Sequence, residues 1–239
     1  MNRQIAVIAG PTAVGKTKFA IEAARALDGE IISCDSMQLY RYMDIGSAKP
    51  TPEEMAQAVH HLVDVIDPSQ PFSAAMYQKM AKEAIEEVFS RGKLPIISGG
   101  TGLYLNTLIY DMDFSGADRD DRLRLELEEE ARANGPEVLH RRLEELDQDA
   151  AERIHPNNVK RVIRALEGAL TGHNIRDFRE CISKCKDYDI NLIILSRNRE
   201  ELYDRINKRV DILVQEGLFE EVDCLMSKGL TEDDISMKG

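Results

Sequence analysis

The sequence predicts an α/β protein: a mainly parallel sheet flanked by helices, with an all-helical module inserted between two stretches of the core. Three observations carry that expectation. Short apolar runs alternate with stretches of helical spacing from Gln4 to Ser98, the pattern of parallel strands joined by crossover helices. A glycine-bearing turn, Gly10 to Thr17, joins the first run to the first helix. The alternation stops from about Ser115 to about Cys185, where only charged helical periodicity is found, and resumes with the apolar run Ile190 to Leu195. The expected division is a core of residues 1–114 and 186–239 around a helical insertion of residues 115–185.

Each element follows from its local pattern. Gln4 to Ala9 is an apolar run ending at a glycine and reads as the first strand. Lys16 to Leu27 carries Phe19, Ala20, Ala23, Ala24 and Leu27 at helical spacing and is closed by Asp28-Gly29. Glu30 to Ser33 reads as a second, buried strand, and His61 to Ile66 as a third, stopped by Asp67-Pro68. Ser73 to Arg91 is a helix expected to turn Met76, Tyr77, Met80, Ala84, Val88 and Phe89 inward. Leu94 to Ser98 is the next strand, broken by Gly99-Gly100. In the insertion, helices are expected over Asp118 to Asn134, Glu137 to Leu146, Asp149 to Ile154 and Asn158 to Leu170, the last stopped by Thr171-Gly172. Ile190 to Leu195 reads as a returning buried strand, after which Glu200 to Glu216 and Leu218 to Lys228 read as amphipathic helices.

Composition narrows the class. Hydrophobic residues make up 43% and charged ones 31% of 239 residues, and no apolar stretch approaches the length of a membrane span, so a soluble, cytoplasmic protein is expected, and as a monomer. Cysteines 34, 181, 185 and 224 lack the spacing of a disulfide framework or a zinc site, so reduced thiols are expected. The histidines at 60, 61, 155 and 173 show no ligand spacing. A net charge of −12 argues against a surface that binds nucleic acid everywhere; such binding requires a local basic face.

Gly10, Gly15, Lys16 and Thr17 fit the pattern G-x-x-x-x-G-K-[ST], between a strand and a helix as that motif requires, so the core is expected to resemble the P-loop NTPases. The glycines let backbone N–H groups turn onto an anion, and the helix start adds partial positive charge. Lys16 reaches terminal phosphates and the Thr17 hydroxyl is a ligand for magnesium. Asp35 stands at the carboxyl end of the second strand, where open α/β sheets place their ligands. There it serves as a general base, approaches the metal, or merely caps a turn. In Ser98 to Tyr104, Gly99 and Gly100 permit close backbone approach, and Thr101 offers a hydroxyl, the alternative being an ordinary helix cap.

Several strings in order along the chain resemble one family, the bacterial tRNA dimethylallyltransferases, also called tRNA isopentenyl transferases. They are Gly10-Pro11-Thr12-Ala13-Val14-Gly15-Lys16-Thr17, Asp35-Ser36-Met37-Gln38-Leu39-Tyr40, Met43 to Pro50, Gly99 to Tyr104, and Arg153 to Asn158 with Arg161 and Arg164 to Glu167. The resemblance implies transfer of the dimethylallyl group of dimethylallyl diphosphate to N6 of adenosine 37, beside the tRNA anticodon, with release of diphosphate. It implies that Gly10 to Thr17 bind the diphosphate with Mg2+, that Asp35 takes the N6 proton, and that Thr101 acts beside it. It also implies tRNA contacts from Asp35, Ser36, Met37, Gln38, Thr101, Arg124 and the stretch Lys160, Arg161, Val162, Ile163 and Arg164. Members of that family are expected to continue past "DISMKG" into helices with further basic and aromatic residues for tRNA.

The charge pattern agrees with a role for the insertion. Lys160, Arg161 and Arg164 fall on one side of their helix and Val159, Val162, Ile163, Leu166 and Leu170 on the other. Between Ile154 and Arg176 the only acid is Glu167. Arg205 and Arg209 share a helix face and either reach the diphosphate or pair with Glu201 or Asp204. The rival reading is a small-molecule or nucleotide kinase, which explains the loop and Asp35 but not "DSMQLY", "IGSAKP" or the basic insertion. A nucleotide-gated RNA-binding switch lacks a separate aspartate-terminated strand to hold magnesium opposite the loop.

Overall fold

The computed structural model describes residues 3–110, 112, 120–171 and 185–238. Among the expectations above, Ser115, Asp118, the Gly172 stop, His173, Arg176 and Cys181 lie outside the described residues. The chain divides into two compact units, one of residues 1–111 and 184–239, the other of residues 112–183.

The first unit is a five-stranded parallel sheet in the order β3-β2-β4-β1-β5, with β1 Gln4–Ala9, β2 Gly29–Ser33, β3 His60–His61, β4 Leu94–Gly99 and β5 Asp189–Ile194. Around it lie α1 Lys16–Ala26, the short α2 Pro52–Met55, α3 Ala74–Ser90, α4 Gly102–Ile109, α9 Arg199–Gln215 and α10 Leu218–Ser227. The two-residue period of a strand sorts its side chains onto two faces. Ile5, Val7, Ile32 and Ile97 pack with Tyr77, Ile85 and Val88 of α3 and Leu108 of α4. Ala6, Ile8, Ile31 and Ile96 face Ala20, Ile21 and Ala24 of α1. Both faces of the inner strands are therefore covered, which is why β1, β2 and β4 read as continuous apolar runs rather than as alternating ones. The expectation of a buried strand at Ile190 to Leu195 is corrected: β5 is the edge strand, and its Leu192, Ile193 and Ile194 are 47%, 38% and 69% exposed.

Three further expectations are corrected. Of the third apolar run, His61 to Ile66, only His61 belongs to a strand, paired with His60 before it; Leu62 and Asp64 have left-handed backbones, φ 59° and 57°, which turn the chain before Ile66 makes an isolated bridge with Tyr40. Phe19 and Leu27 of the first helical stretch are 38% and 58% exposed, because the face toward the sheet is taken by small alanines and Ile21. Met76 is also exposed, the buried stripe of α3 being Tyr77, Ala81, Ala84, Ile85 and Val88.

The second unit holds α5 Asp121–Asn134, α6 Pro136–Leu146, α7 Gln148–Arg153 and α8 Val159–Leu170. Its core is Leu127, Leu139, Leu143, Val162, Ile163 and Leu166 with small alanines. Asp120 and Asp147 cap α5 and α7 by accepting the N–H of Leu123 and Ala150.

One charge is buried in the sheet. Glu30 of β2 is 3% exposed, and its carboxylate accepts from Arg91 Nε and Nη2 at 3.2 and 2.7 Å while lying 2.7 Å from His61 Nε2. The Arg91 hydrogen bonds, opposed by burial and aided by His61, hold this carboxyl down to about 2 against an ordinary 4.5. A carboxyl depressed on folding stabilises fully above its unfolded value and loses that contribution as pH falls through the folded one. Arg91→Ala, which leaves the buried carboxylate short of donors, is therefore expected to cost about 2 kcal/mol at neutral pH. The gap to wild type, measured by urea denaturation, should narrow as pH falls below about 4.5 toward about 2.

Candidate active site

The site lies at the carboxyl ends of β1, β2 and β4. After β1 the chain turns through the phosphate-binding loop and enters α1 at Gly15, whose left-handed backbone (φ 107°) suits glycine and aims the first N–H groups of the helix out of the turn. Ala13 is also left-handed, φ 64°, a strained conformation for a residue with a Cβ. It is held from outside: Arg205 Nε donates to the Ala13 carbonyl at 2.8 Å and Arg197 Nε to the Val14 carbonyl at 3.0 Å, both from the segment that forms and precedes α9. Lys16 folds over the loop and donates to the carbonyls of Gly10 and Pro11, 2.9 Å each. Burial lowers its pKa, Asp35 acts to raise it, and the charge of Arg209 lowers it further.

Asp35 and Thr101 come together through a glycine contact. A Cβ on Gly99 would stand 1.9 Å from the Cys34 carbonyl oxygen, so only glycine lets the end of β4 lie against the turn after β2. That turn is then fixed. Thr101 N–H donates to the Cys34 carbonyl at 3.2 Å, the Ser36 N–H donates to Thr101 Oγ1 at 2.9 Å, and Met37 N–H donates to Asp35 Oδ1 at 2.9 Å. Thr101 occupies the N-cap of α4 but makes no side-chain cap bond, its hydroxyl being turned to Ser36. Gln38 ties two segments, accepting from Ser33 Oγ at 3.0 Å and donating to the Ala48 carbonyl at 3.2 Å. Met37 packs against the core.

These pieces line one cleft of about 460 Å³, walled by Thr12, Lys16, Thr17, Asp35, Gln38 and Gly100, with Arg205, Lys208 and Arg209 from α9. Cations and loop N–H groups face the Asp35 carboxylate there, with Glu54 also on the wall, a geometry for an anion next to a proton acceptor. Of the two readings of Arg205 and Arg209, the structure places both on the cleft; Glu201 pairs with Arg197, and Asp204 with Lys208. Ser47, Ala48 and Ile212 also line the cleft. The "IGSAKP" string signalled the first two, whereas nothing in the sequence pointed to Ile212 or to Arg197. Among the described residues no group of three or more His, Cys, Asp or Glu side chains is arranged to hold a metal. Among the oxygen donors that line the cleft, the Thr17 hydroxyl at the start of α1 with Asp35 fits a magnesium ion that takes most of its oxygens from phosphate and water.

In the helical unit, Lys160, Arg161 and Arg164 are exposed along α8. Val162 and Ile163, which the resemblance includes in the same tRNA-contacting stretch, are 0% and 3% exposed; their side chains build the helical core and do not reach the surface. Arg124 is committed within the unit: its Nε and Nη2 donate to Glu167, which is 6% exposed and also accepts the Asp120 N–H. The one acid of the segment is thus withdrawn from the surface.

Residues 38–239 match the family described as IPP transferase. A tRNA dimethylallyltransferase of Alkaliphilus oremlandii is 51% identical over 240 residues, covering 100% of this chain and 77% of that protein. Another from Clostridioides difficile is 49% identical, covering 98% of this chain and 75% of that protein. Among solved structures, the tRNA isopentenylpyrophosphate transferase of Bacillus halodurans has 44% identity and a TM-score of 0.69, covering 100% of this chain and 74% of that one. A eukaryotic dimethylallyltransferase acting on tRNA reaches a TM-score of 0.81 at 30% identity, covering 95% of this chain and 56% of that one. With a phosphate-binding loop and a carboxylate meeting in one cleft, and with identity of this extent along its whole length, the chain belongs to the IPP transferase family, the tRNA dimethylallyltransferases.

Proposed function

We propose that the chain transfers the dimethylallyl group of dimethylallyl diphosphate to N6 of adenosine 37 in tRNA and releases diphosphate. The observation that carries this reading is the meeting of Asp35 with the Lys16 loop in one cleft. Gly10 to Thr17, with Arg205 at the rim, hold the diphosphate through backbone N–H groups, Lys16 and helix partial charge. Lys16 exchanges the Gly10 and Pro11 carbonyls for phosphate oxygens as the donor enters. In the reaction the N6 lone pair forms a bond to the allylic C1, the C1–O bond breaks, and its electron pair leaves with the diphosphate. Asp35 accepts the N6 proton, which counters the poor nucleophilicity of an adenine amine. Thr17 would hold a magnesium ion together with the diphosphate, and that ion would supply neutralisation of the leaving group's charge. Thr101 holds the Ser36 end of the turn and so aims Asp35.

The tRNA meets the chain in two places. At the cleft, Asp35 and Gln38 line the space for an adenine flipped from the anticodon stack, and Ser36, Met37 and Thr101 belong to the turn and helix start that carry Asp35. In the helical unit of residues 112–183, Lys160, Arg161 and Arg164 present the basic face that phosphates need. Arg124 contributes there by its ion pair with Glu167, which keeps a carboxylate away from that face.

The test is incubation with magnesium, labelled dimethylallyl diphosphate and unmodified tRNA carrying adenosine at 36 and 37. Label transfer is expected, and Asp35→Ala should lower its kcat about 10²-fold or more while diphosphate still binds. Absence of label transfer together with phosphoryl transfer from ATP would point to the kinase instead. Replacing Lys160, Arg161 and Arg164 by Gln should raise KM for tRNA about tenfold and reduce the slope of log K against log salt by about one per cation, with KM for the donor unchanged.

A further inference from the structure

Glu221 of α10 is bonded in a way that the chemistry above does not use. Its Oε2 accepts the N–H groups of Asp44 and Ile45, 2.7 Å each, and its Oε1 accepts that of Gly46 at 2.9 Å. Three successive backbone donors converging on one carboxylate form an anion nest, filled here by a side chain 175 to 177 positions later in the chain. The contact is tight: a Cβ on Gly46 would stand 3.1 Å from Leu218 Cδ1 and 3.4 Å from Glu221 Oε1.

The segment so held reaches the cleft at the next residue. Ser47 and Ala48 line the cleft, and Ala48 sits at φ 43°, a left-handed backbone that persists only where its surroundings fix it. Its carbonyl accepts Gln38 Nε2, and Gln38 lines the cleft as well. The far end is anchored by Lys49, whose 5% exposed side chain donates to the Tyr40 carbonyl at 2.6 Å and to Asp44 at 2.7 Å and also pairs with Asp64. On the other side, Gly217 separates α10 from α9, the helix that lines the same cleft with Arg205, Arg209 and Ile212. Glu221 therefore joins the wall at 47–48 to the helix pair that carries the cations.

We propose that Glu221 is a positioning residue that sets the width of the cleft by clamping the 44–46 backbone to α10. The proposal rests on the transferase reading for its kinetic part only. Without the carboxylate, three backbone donors lose their acceptor, the strain at Ala48 relaxes, and the wall at Ser47 and Ala48 draws away from a donor bound on the loop.

The 239-residue chain, Glu221→Gln, Glu221→Ala and the neighbouring charge control Glu220→Gln are compared by amide hydrogen exchange, titration with inorganic diphosphate and magnesium, and steady-state transfer. Gln keeps the shape but turns an NH2 toward an N–H donor. In both Glu221 variants the Asp44, Ile45 and Gly46 amides should exchange faster while those of β1 keep their protection. Diphosphate affinity should weaken and donor KM rise, each about tenfold, with kcat within about twofold of wild type. Glu220→Gln should match wild type throughout. Unchanged exchange at 44–46, or unchanged diphosphate affinity, overturns the clamp. Loss of protection in β1 with lowered kcat and unchanged KM also overturns it, by making Glu221 a residue of general stability. Exchange and diphosphate titration need no turnover, so a wild-type chain that transfers no label refutes the transferase reading while the clamp is still tested.

Discussion

The contact between Gly99 and the Cys34 carbonyl is the constraint on which the site rests. A Cβ at that position would occupy the place of a backbone oxygen, and backbone does not step aside as a flexible side chain does. Because the ends of β2 and β4 lie this close, the Thr101 amide reaches the Cys34 carbonyl and the Thr101 hydroxyl reaches the Ser36 amide. Asp35 is thereby carried on a turn with little freedom, beside a loop that is itself fastened by two arginines from the far end of the chain. Precision of this kind comes from backbone fixed by backbone, which is how a carboxylate is kept within reach of a proton without being held by the cations next to it.

The chain carries a net charge of −12, yet its function calls for two anionic ligands. The difficulty is met by where the acids stand. Glu167 is buried against Arg124, Glu221 is covered by three amides, and Glu30 is enclosed by Arg91 and His61. Each is spent inside the fold, so the surfaces that matter keep Lys16, Arg205 and Arg209 at the cleft and Lys160, Arg161 and Arg164 on α8. Net charge is thus a poor guide here, because binding responds to the field near a few residues and not to a sum over the chain.

Much of this was legible in the sequence. Strands buried on both faces announce themselves as apolar runs, so β1, β2 and β4 are legible nearly to the residue; β5 is legible from the same pattern although it lies exposed at the sheet edge, and the loop is legible because its glycines, lysine and threonine each have a separate physical duty. The third run misled because apolar content does not reveal a backbone that turns left-handed at Leu62 and Asp64, and leucine rarely adopts that conformation. Helix faces were read from apolar residues, and this failed at Phe19, Leu27 and Met76, where small residues closer to the sheet decide the packing. The fastenings of the site, Arg197 on Val14, Thr101 on Ser36 and Glu221 on the 44–46 amides, join segments far apart in the chain, and a single sequence carries no mark of such pairs.

The loop at 10–17 is synthesised well before its fastenings: its carbonyls at Ala13 and Val14 receive their donors 192 and 183 positions later. Strand β1 likewise has β5 as one of its two neighbours, so it lacks one side until residues 189–194 have been made. Vectorial synthesis therefore presents the anion-binding loop early and unfastened, and the same late segment that completes the sheet also closes the loop. Capacity to hold a diphosphate is in this way tied to completion of the core, and a nascent chain short of α9 holds its phosphate loop without the grip that shapes it.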